Sequence, residues 1–338
     1  MRKIGVLVVG TGMISVNEHL PALARMPNVE IVGIVSRSRS RAEELARKFN
    51  AKKAFTDLDE ALKAEGVEVV DITRPTYEHK ECVLRAFEYG KHVIVEKPIA
   101  LKLSDAREMI NTAKRKGLKF MVAHVLRFWP EYVKAKELIE SGAIGEPRIA
   151  RAYRQLEYPT WSYKMWHKDI LKSGGVAVDL SIHDIDYLRW VMGEVDTIYA
   201  QGGVYVFKDA TAYDYVHMLL KFKSGAIAYV EGSWIMPKGY PLHMYLEVAG
   251  TNGLLTVDNL STAGLKVFKS GGQVSYSTPV PENGYYLELK HFIDCVINDK
   301  EPLVTGEEAL KSLEVALASI KSIREGMPVK LPLTEEVL

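Results

Sequence analysis

Two short stretches of this 338-residue chain hold side chains suited to acid–base chemistry. One is Glu96-Lys97-Pro98, closing the apolar run His92 to Val95; the other is Gly174-Gly175, leading into Asp179, His183 and Asp186. Positions four and then three apart share one face of a helix, so the three would form a polar stripe, with Ile182, Ile185 and Trp190 turned elsewhere. A histidine held by a carboxylate can take a proton from a hydroxyl group, and a lysine can polarise the same oxygen. Pro98 fixes the backbone beside Lys97, and the paired glycines let the chain pass close to another backbone or a ligand. Plainer readings stand beside these. Lysines are mostly solvated surface groups, and an exposed Asp/His pair four apart is worth on the order of a few tenths of a kcal/mol. A metal site is disfavoured, because no further ligand cluster accompanies the pair.

The elements that would position these residues change character along the chain. Up to about Ala123, short Val/Ile runs alternate with amphipathic stretches, the pattern of a parallel sheet covered by helices. Strands are expected at Ile4 to Val9, Glu30 to Val35, Lys53 to Ala54, Val67 to Ile72, His92 to Val95 and Lys119 to Val122. Helices are expected at Met13 to Met26, Arg39 to Phe49, Asp57 to Ala64, Tyr77 to Tyr89 and Asp105 to Lys116, with Ser104 as an N-cap and Pro21 kinking the first. Thr73-Arg74-Pro75 and Glu96-Lys97-Pro98 each follow an apolar strand and so fall at the carboxyl edge of the sheet, where cofactors sit in open α/β folds.

Beyond Ala123 come a helix at Arg127 to Glu140 and strands at Arg148 to Tyr158 and Ile198 to Phe207. Further strands at Tyr215 to Phe222, Ala226 to Trp234, His243 to Ala249, Leu254 to Val257, Leu265 to Phe268 and Val274 to Ser277 are separated by Gly, Ser and Asn turns. The expectation is a large open, mostly antiparallel sheet. It is interrupted by one helix from Gly175 to Met192 and followed by helices at Tyr286 to Ile297 and Glu307 to Arg324.

The first strand runs directly into Gly10-Thr11-Gly12-Met13-Ile14-Ser15, which opens the first helix, the context of a dinucleotide-binding turn. Gly10 permits the tight turn, Gly12 lets the backbone approach a pyrophosphate, and the helix N-terminus presents free N–H groups to its charge. Ser15 stands where a third glycine is usual. Where an acidic side chain would bind the ribose, at the end of the second strand, the chain has Ser36 followed by Arg37. A hydroxyl with a guanidinium fork suits a 2′-phosphate, which favours NADP(H) while leaving NAD(H) open. The fold expected is therefore a Rossmann domain over residues 1–123 and an α+β domain over 124–338, with the reacting centre in the cleft between them.

Bulk composition excludes several classes. With 44 Lys+Arg against 43 Asp+Glu and a net charge of +1, the chain lacks the basic footprint of a nucleic-acid binder. Cys82 and Cys295 sit in helical, apolar contexts that suit buried thiols. No apolar run reaches the length of a signal peptide or a membrane span, so a cytoplasmic protein is expected.

Gly10-x-Gly12, Thr73-Arg74-Pro75 with His79, Gly90-Lys91-His92-Val93 ending in Glu96-Lys97-Pro98, and Gly174-Gly175 with Asp179, His183, Asp184, Ile185 and Asp186 together resemble the Gfo/Idh/MocA oxidoreductases, relatives of glucose-fructose oxidoreductase and inositol dehydrogenase. The likeness extends through Ser141 to Pro147 and Glu301 to Gly306, while Thr76 replaces an Asn often found in that family. It implies a catalytic triad of Lys97, Asp179 and His183, with Glu96 and Pro98 near the nicotinamide and Thr73, Pro75 and His79 lining the cofactor groove. It also places Arg127, Arg154, Trp166, His167 and Tyr240 among the substrate-facing side chains, although a lone arginine such as Arg154 equally suits a structural ion pair. The implied activity is hydride transfer between a nicotinamide cofactor and a secondary alcohol of a sugar, sugar derivative or inositol, in a homodimer or homotetramer built through the second-domain sheet. Two alternatives remain at this point: an NAD-dependent elimination of a glycosidic group through transient oxidation, and a non-catalytic dinucleotide-binding regulator.

Overall fold

In the computed structural model, which describes residues 2–269, 272–276 and 282–338, six apolar runs pair as one parallel sheet. The strands are β1 (Ile4–Val9), β2 (Val29–Val35), β3 (Lys53–Phe55), β4 (Val69–Ile72), β5 (His92–Glu96) and β6 (Phe120–Ala123), in the order β3-β2-β1-β4-β5-β6. Between them run α1 (Leu20–Arg25), α2 (Arg39–Lys48), α3 (Leu58–Leu62), α4 (His79–Glu88) and α5 (Leu103–Lys116). Strands buried on both faces carry near-continuous Val and Ile, which is why these runs are apolar throughout and do not alternate.

The first helical stretch departs from expectation in a useful way. Ser15–His19 form a π-helical turn, in which Leu20 N–H bonds to Ser15 O, and α1 begins only at Leu20. Pro21 has no N–H to give, so the register change falls where a helical hydrogen bond would be missing in any case. Ser104 is not an N-cap, since α5 begins one residue earlier, at Leu103.

The second sheet has nine strands: β7 (Pro147–Glu157), β8 (Val195–Gly203), β9 (Tyr215–Phe222), β10 (Ile227–Met236), β11 (His243–Gly250), β12 (Gly253–Asp258), β13 (Leu265–Lys269), β14 (Gly272–Tyr276) and β15 (Val329–Lys330). Their order is β14-β13-β12-β11-β7-β10-β9-β8-β15, with β7 and β10 parallel and the other pairs antiparallel. Ser277, the last residue of the final strand expected in this series, lies outside the described residues. Burial alternates along β7, β9 and β11, so one face is packed and the other half-exposed. The accompanying helices are α6 (Pro130–Glu140), α7 (Ile170–Ser173), α8 (Gly175–Asp179), α9 (Ile182–Met192), α10 (Gly284–Ile297) and α11 (Gly306–Glu325).

Two compact units result: Met1–Val125 with Glu282–Leu310, and Leu126–Pro281 with Lys311–Leu338. The sequence reading assigned everything after residue 123 to the second domain, whereas Glu282–Leu310 joins the first unit. There α10 packs on the π-turn and α1, Asn283 Nδ2 donates to Glu18 Oε2 at 3.0 Å, and Val122 N–H donates to Val304 O at 3.2 Å. Those pairings lie too far apart in sequence for any local pattern to reveal them. Cys82 and Cys295 are both free and buried. No described helix is long and apolar enough to cross a membrane.

The strand expected to run to Phe207 ends at Gly203 for a chemical reason. Asp214, fully buried, accepts the N–H groups of Tyr205, Val206 and Phe207 at 2.8, 2.8 and 3.0 Å, and so takes them out of the ladder. Replacing Asp214 by Ala orphans three donors and should destabilise the second unit by about 3 kcal/mol or more. Denaturant unfolding followed by Trp fluorescence would measure this.

Candidate functional site

In the first unit the expected cofactor-facing residues gather at the carboxyl ends of β1, β4 and β5. Gly10 has φ +128°, and a Cβ there would meet Thr73 Oγ1 at 2.6 Å and Thr73 O at 2.8 Å, so only glycine fits. A Cβ on Gly12 would meet nothing within 4 Å. The turn is thus tight against the protein on one side and bare on the other, as a backbone that cradles a pyrophosphate must be. Ser15 has a use of its own: its hydroxyl donates to Gly10 O at 2.9 Å and ties the turn to the helix. These residues fit the phosphates of a dinucleotide.

At the end of β2, Ser36 Oγ lies 2.9 Å from Thr11 Oγ1 and accepts the Ser38 N–H at 3.3 Å. Arg37 is not idle: it pairs with Glu78, and the same carboxylate receives Arg74 Nη1 at 2.9 Å. Two guanidinium groups therefore share one carboxyl group beside the expected ribose position.

The Glu96-Lys97-Pro98 turn is held from two directions. Glu96 Oε2 accepts the Lys97 N–H at 3.1 Å, and Glu96 Oε1 lies 3.0 Å from His19 Nε2. His19 Nδ1 lies 3.0 Å from each oxygen of Asp71. A carboxylate only accepts, so both ring nitrogens donate and the ring is an imidazolium. Burial disfavours that charge, but Asp71 and then Glu96 outweigh it and raise the His19 pKa well above its ordinary value. Burial likewise works against an ionised Glu96, yet the His19 bond leaves its pKa below the usual carboxylate range. From the other side, His79 Nδ1 lies 2.9 Å from Pro98 O and Nε2 lies 2.8 Å from Arg74 O. Burial lowers the His79 pKa, so the neutral ring donates to one of these carbonyls at a time. His79 and Thr73 are nearly enclosed and act as clamps behind the surface, while Pro75 and Lys97 are half-buried.

In the second unit the single expected helix is two. It breaks at Leu180-Ser181, where Leu180 N–H and Ser181 N–H both bond to Val176 O, so Asp179 ends α8 and His183 lies in the first turn of α9. Asp179 Oδ2 comes within 3.6 Å of His167 Nε2, whose ring lies against Trp166 and edge-on to Trp234 at centroid distances of 3.9 and 5.5 Å. The structure thus brings Trp166, His167 and Asp179 together at the break that presents His183.

Three expected site residues go elsewhere. Arg127 is 2% exposed and grips Asp186 with two bonds of 2.8 Å, and Ser312 Oγ donates to the same carboxylate at 2.9 Å. Asp186 therefore leaves the polar stripe and becomes a core anion. Arg154 is bound to buried Asp184 through two bonds of 3.1 Å, the structural ion pair that a lone arginine also suited. Tyr240 contacts Gln155 and His243, each at 3.4 Å; Gln155 points to the sheet face opposite Arg154 and the α9 side chain it binds. The sequence reading missed His19 and Asp71. A carboxylate inside the apolar run Val69-Val70-Asp71-Ile72 was the available signal, because a charge buried there must have a partner.

Both parts of the chain match known protein families. Residues 4–124 match the family model described as oxidoreductase family, NAD-binding Rossmann fold, and residues 136–331 match that described as oxidoreductase family, C-terminal alpha/beta domain. The chain is 32% identical to scyllo-inositol 2-dehydrogenase (NAD(+)) of Bacillus subtilis, over 96% of this chain and 95% of that protein. It is 30% identical to myo-inositol 2-dehydrogenase of Thermotoga maritima, over 98% of each. A crystal structure of a probable dehydrogenase from Thermotoga maritima superposes with a TM-score of 0.83 at 29% identity, covering 96% of this chain and 98% of that one.

The opposed histidine shifts set the pH response of the first unit. His79, His92 and His291 all have lowered pKa values, chiefly through burial, so their contribution is lost as pH falls from 6.5 through the folded values. His19 is raised, so its contribution is complete below 6.5 and is lost as pH climbs through its folded value. The first unit should be most stable near pH 6.5, and His19→Gln should remove the decline immediately above it. Guanidinium unfolding across pH 4 to 9 would check both limbs.

Proposed function

The chain belongs to the Gfo/Idh/MocA oxidoreductases, with an NAD-binding Rossmann fold, and we propose that within that family it is a reversible dehydrogenase acting on a secondary alcohol of a cyclic polyol such as an inositol, or of a sugar. The observation that carries this reading is the Lys97 turn. An ammonium-bearing residue stands at the carboxyl end of β5, with its backbone pinned by Glu96, in the same sheet as the bare Gly10 to Gly12 turn at the end of β1. Similarity to two inositol dehydrogenases over nearly the whole chain supports the substrate class.

In this reading Lys97 Nζ donates to the reacting oxygen, which favours the developing alkoxide and later the carbonyl. His183 takes the hydroxyl proton in oxidation and returns it in reduction, and Asp179 orients it. When bound, the nicotinamide ring accepts the hydride from the carbon that bore the hydroxyl group. Trp166 and His167 supply an aromatic wall and a ring nitrogen for the ring and hydroxyls of a polyol.

For the cofactor, Ser36 and Arg37 favour NADP(H), with NAD(H) also accepted. No carboxylate stands at Ser36, and Arg37 with Arg74 against the single Glu78 leaves a net positive charge that suits a 2′-phosphate. The half-exposed face of the second sheet, where Leu219 and Ile227 stand out to solvent, serves as the interface of a homodimer or homotetramer. Light scattering should then give two or four chain masses, and Leu219→Lys should lower that number.

The decisive experiment screens inositols, sugars and sugar acids for reduction of NADP and NAD in parallel. Lys97→Ala and His183→Ala should each lose about 10²- to 10⁴-fold in turnover while keeping cofactor affinity; unchanged turnover in both ends the reading. Arg37→Ala should lower kcat/KM about 10- to 100-fold with NADP and leave NAD nearly untouched.

A further inference from the structure

His19, Asp71 and Glu96 form a hydrogen-bonded chain that is enclosed by the first unit and ends on the backbone of Lys97. Such a set is not an efficient source of stability. Well-packed apolar side chains often serve as well or better, because two carboxylates and an imidazolium must be stripped of water. The fold also departs from a regular helix to make it: the π-turn Ser15–His19 is the local irregularity that carries His19 toward β4 and β5, and such turns recur at functional sites.

We propose that His19 is a positioning residue for Lys97: its Nε2–H holds Glu96 Oε1 so that Oε2 receives the Lys97 N–H, which fixes how the Lys97 side chain leaves the turn. The inference deepens the proposed function and rests on Lys97 as the group that polarises the reacting oxygen. Asp71 completes the device from β4 by holding the opposite ring nitrogen, so the imidazole cannot swing away without breaking both contacts or lose its charge without giving up one of them. The other titratable groups nearby are Tyr285 of α10, with its ring 6.0 Å from His19, and His79 of α4, which clamps the following Pro98 carbonyl. Without the imidazolium, buried Glu96 would take up a proton at a higher pH, and its grip on the Lys97 amide would weaken.

A double-mutant cycle on the full-length enzyme, with His19→Gln, Glu96→Gln and both together, tests this. Each single change should lower kcat about 10- to 100-fold, the cost of a small displacement of a reacting group, with substrate KM and NAD(H) dissociation constant within about threefold. The pair should fall no further than the worse single, because both act through one contact. His19→Gln should also add to the acid limb of the kcat profile a step from protonation of Glu96, and Glu96→Gln should lack that step while keeping the limb set by His183. Multiplying losses, or KM and cofactor affinity collapsing with kcat, would overturn the proposal. One measurement needs no variant to fold: in the ¹⁵N spectrum of the ligand-free wild type, both His19 ring nitrogens should be protonated at pH 7, and a neutral ring overturns the proposal. Unchanged turnover in both Lys97→Ala and His183→Ala would end the catalytic reading itself, whereas an impaired Lys97→Ala with an additive cycle ends only this inference.

Discussion

Glu96 closes a strand whose three preceding residues are fully buried, and it keeps its charge there chiefly because a cation is fixed against it. That cation is His19, which in turn needs Asp71 to stay protonated in an enclosed position. Remove His19 and both carboxylates become buried charges without compensation; remove either carboxylate and the imidazolium keeps only one counter-ion. The glycine turn, the π-turn and the ends of β4 and β5 are arranged around this requirement. What the sheet edge presents outward, Lys97 above all, is anchored by what it pairs inward.

The second unit applies the same constraint to different ends. Asp184 and Asp186 lie two residues apart on α9, and each is met by a bidentate arginine, Arg154 from β7 and Arg127 from the turn before α6. These pairs fix α9 against its surroundings with directional bonds, where apolar contact alone would permit sliding. The helix break just before α9 then sets apart Asp179 and His183, which are only partly buried, from the carboxylates consumed in packing. Four acidic or basic side chains within eight residues thus divide into two that hold the structure and two that stay partly exposed.

Much of the architecture was legible beforehand. The six parallel strands follow from apolar runs buried on both faces, and the second sheet from alternation broken by Gly and Asn turns. The family likeness rested on the Glu96-Lys97-Pro98 turn and the glycine-to-histidine stretch, and the comparisons show the same family. Where the reading failed, it met competition through space. Pro21 became a change of hydrogen-bond register, the helix through Asp179 broke, and the strand after Ile198 lost its last residues to a carboxylate 7 to 9 positions downstream.

Sequence by itself determined the periodicities, the turn chemistry and the dinucleotide fingerprint, because each depends on neighbours a few residues apart. Only tertiary structure decided which charges pair: His19 with partners 52 and 77 residues away, Asp186 with partners 59 and 126 away. A charged side chain in a sequence looks the same whether it will meet substrate or a buried counter-ion. The desolvation that separates those two fates exists only once the chain has closed around it.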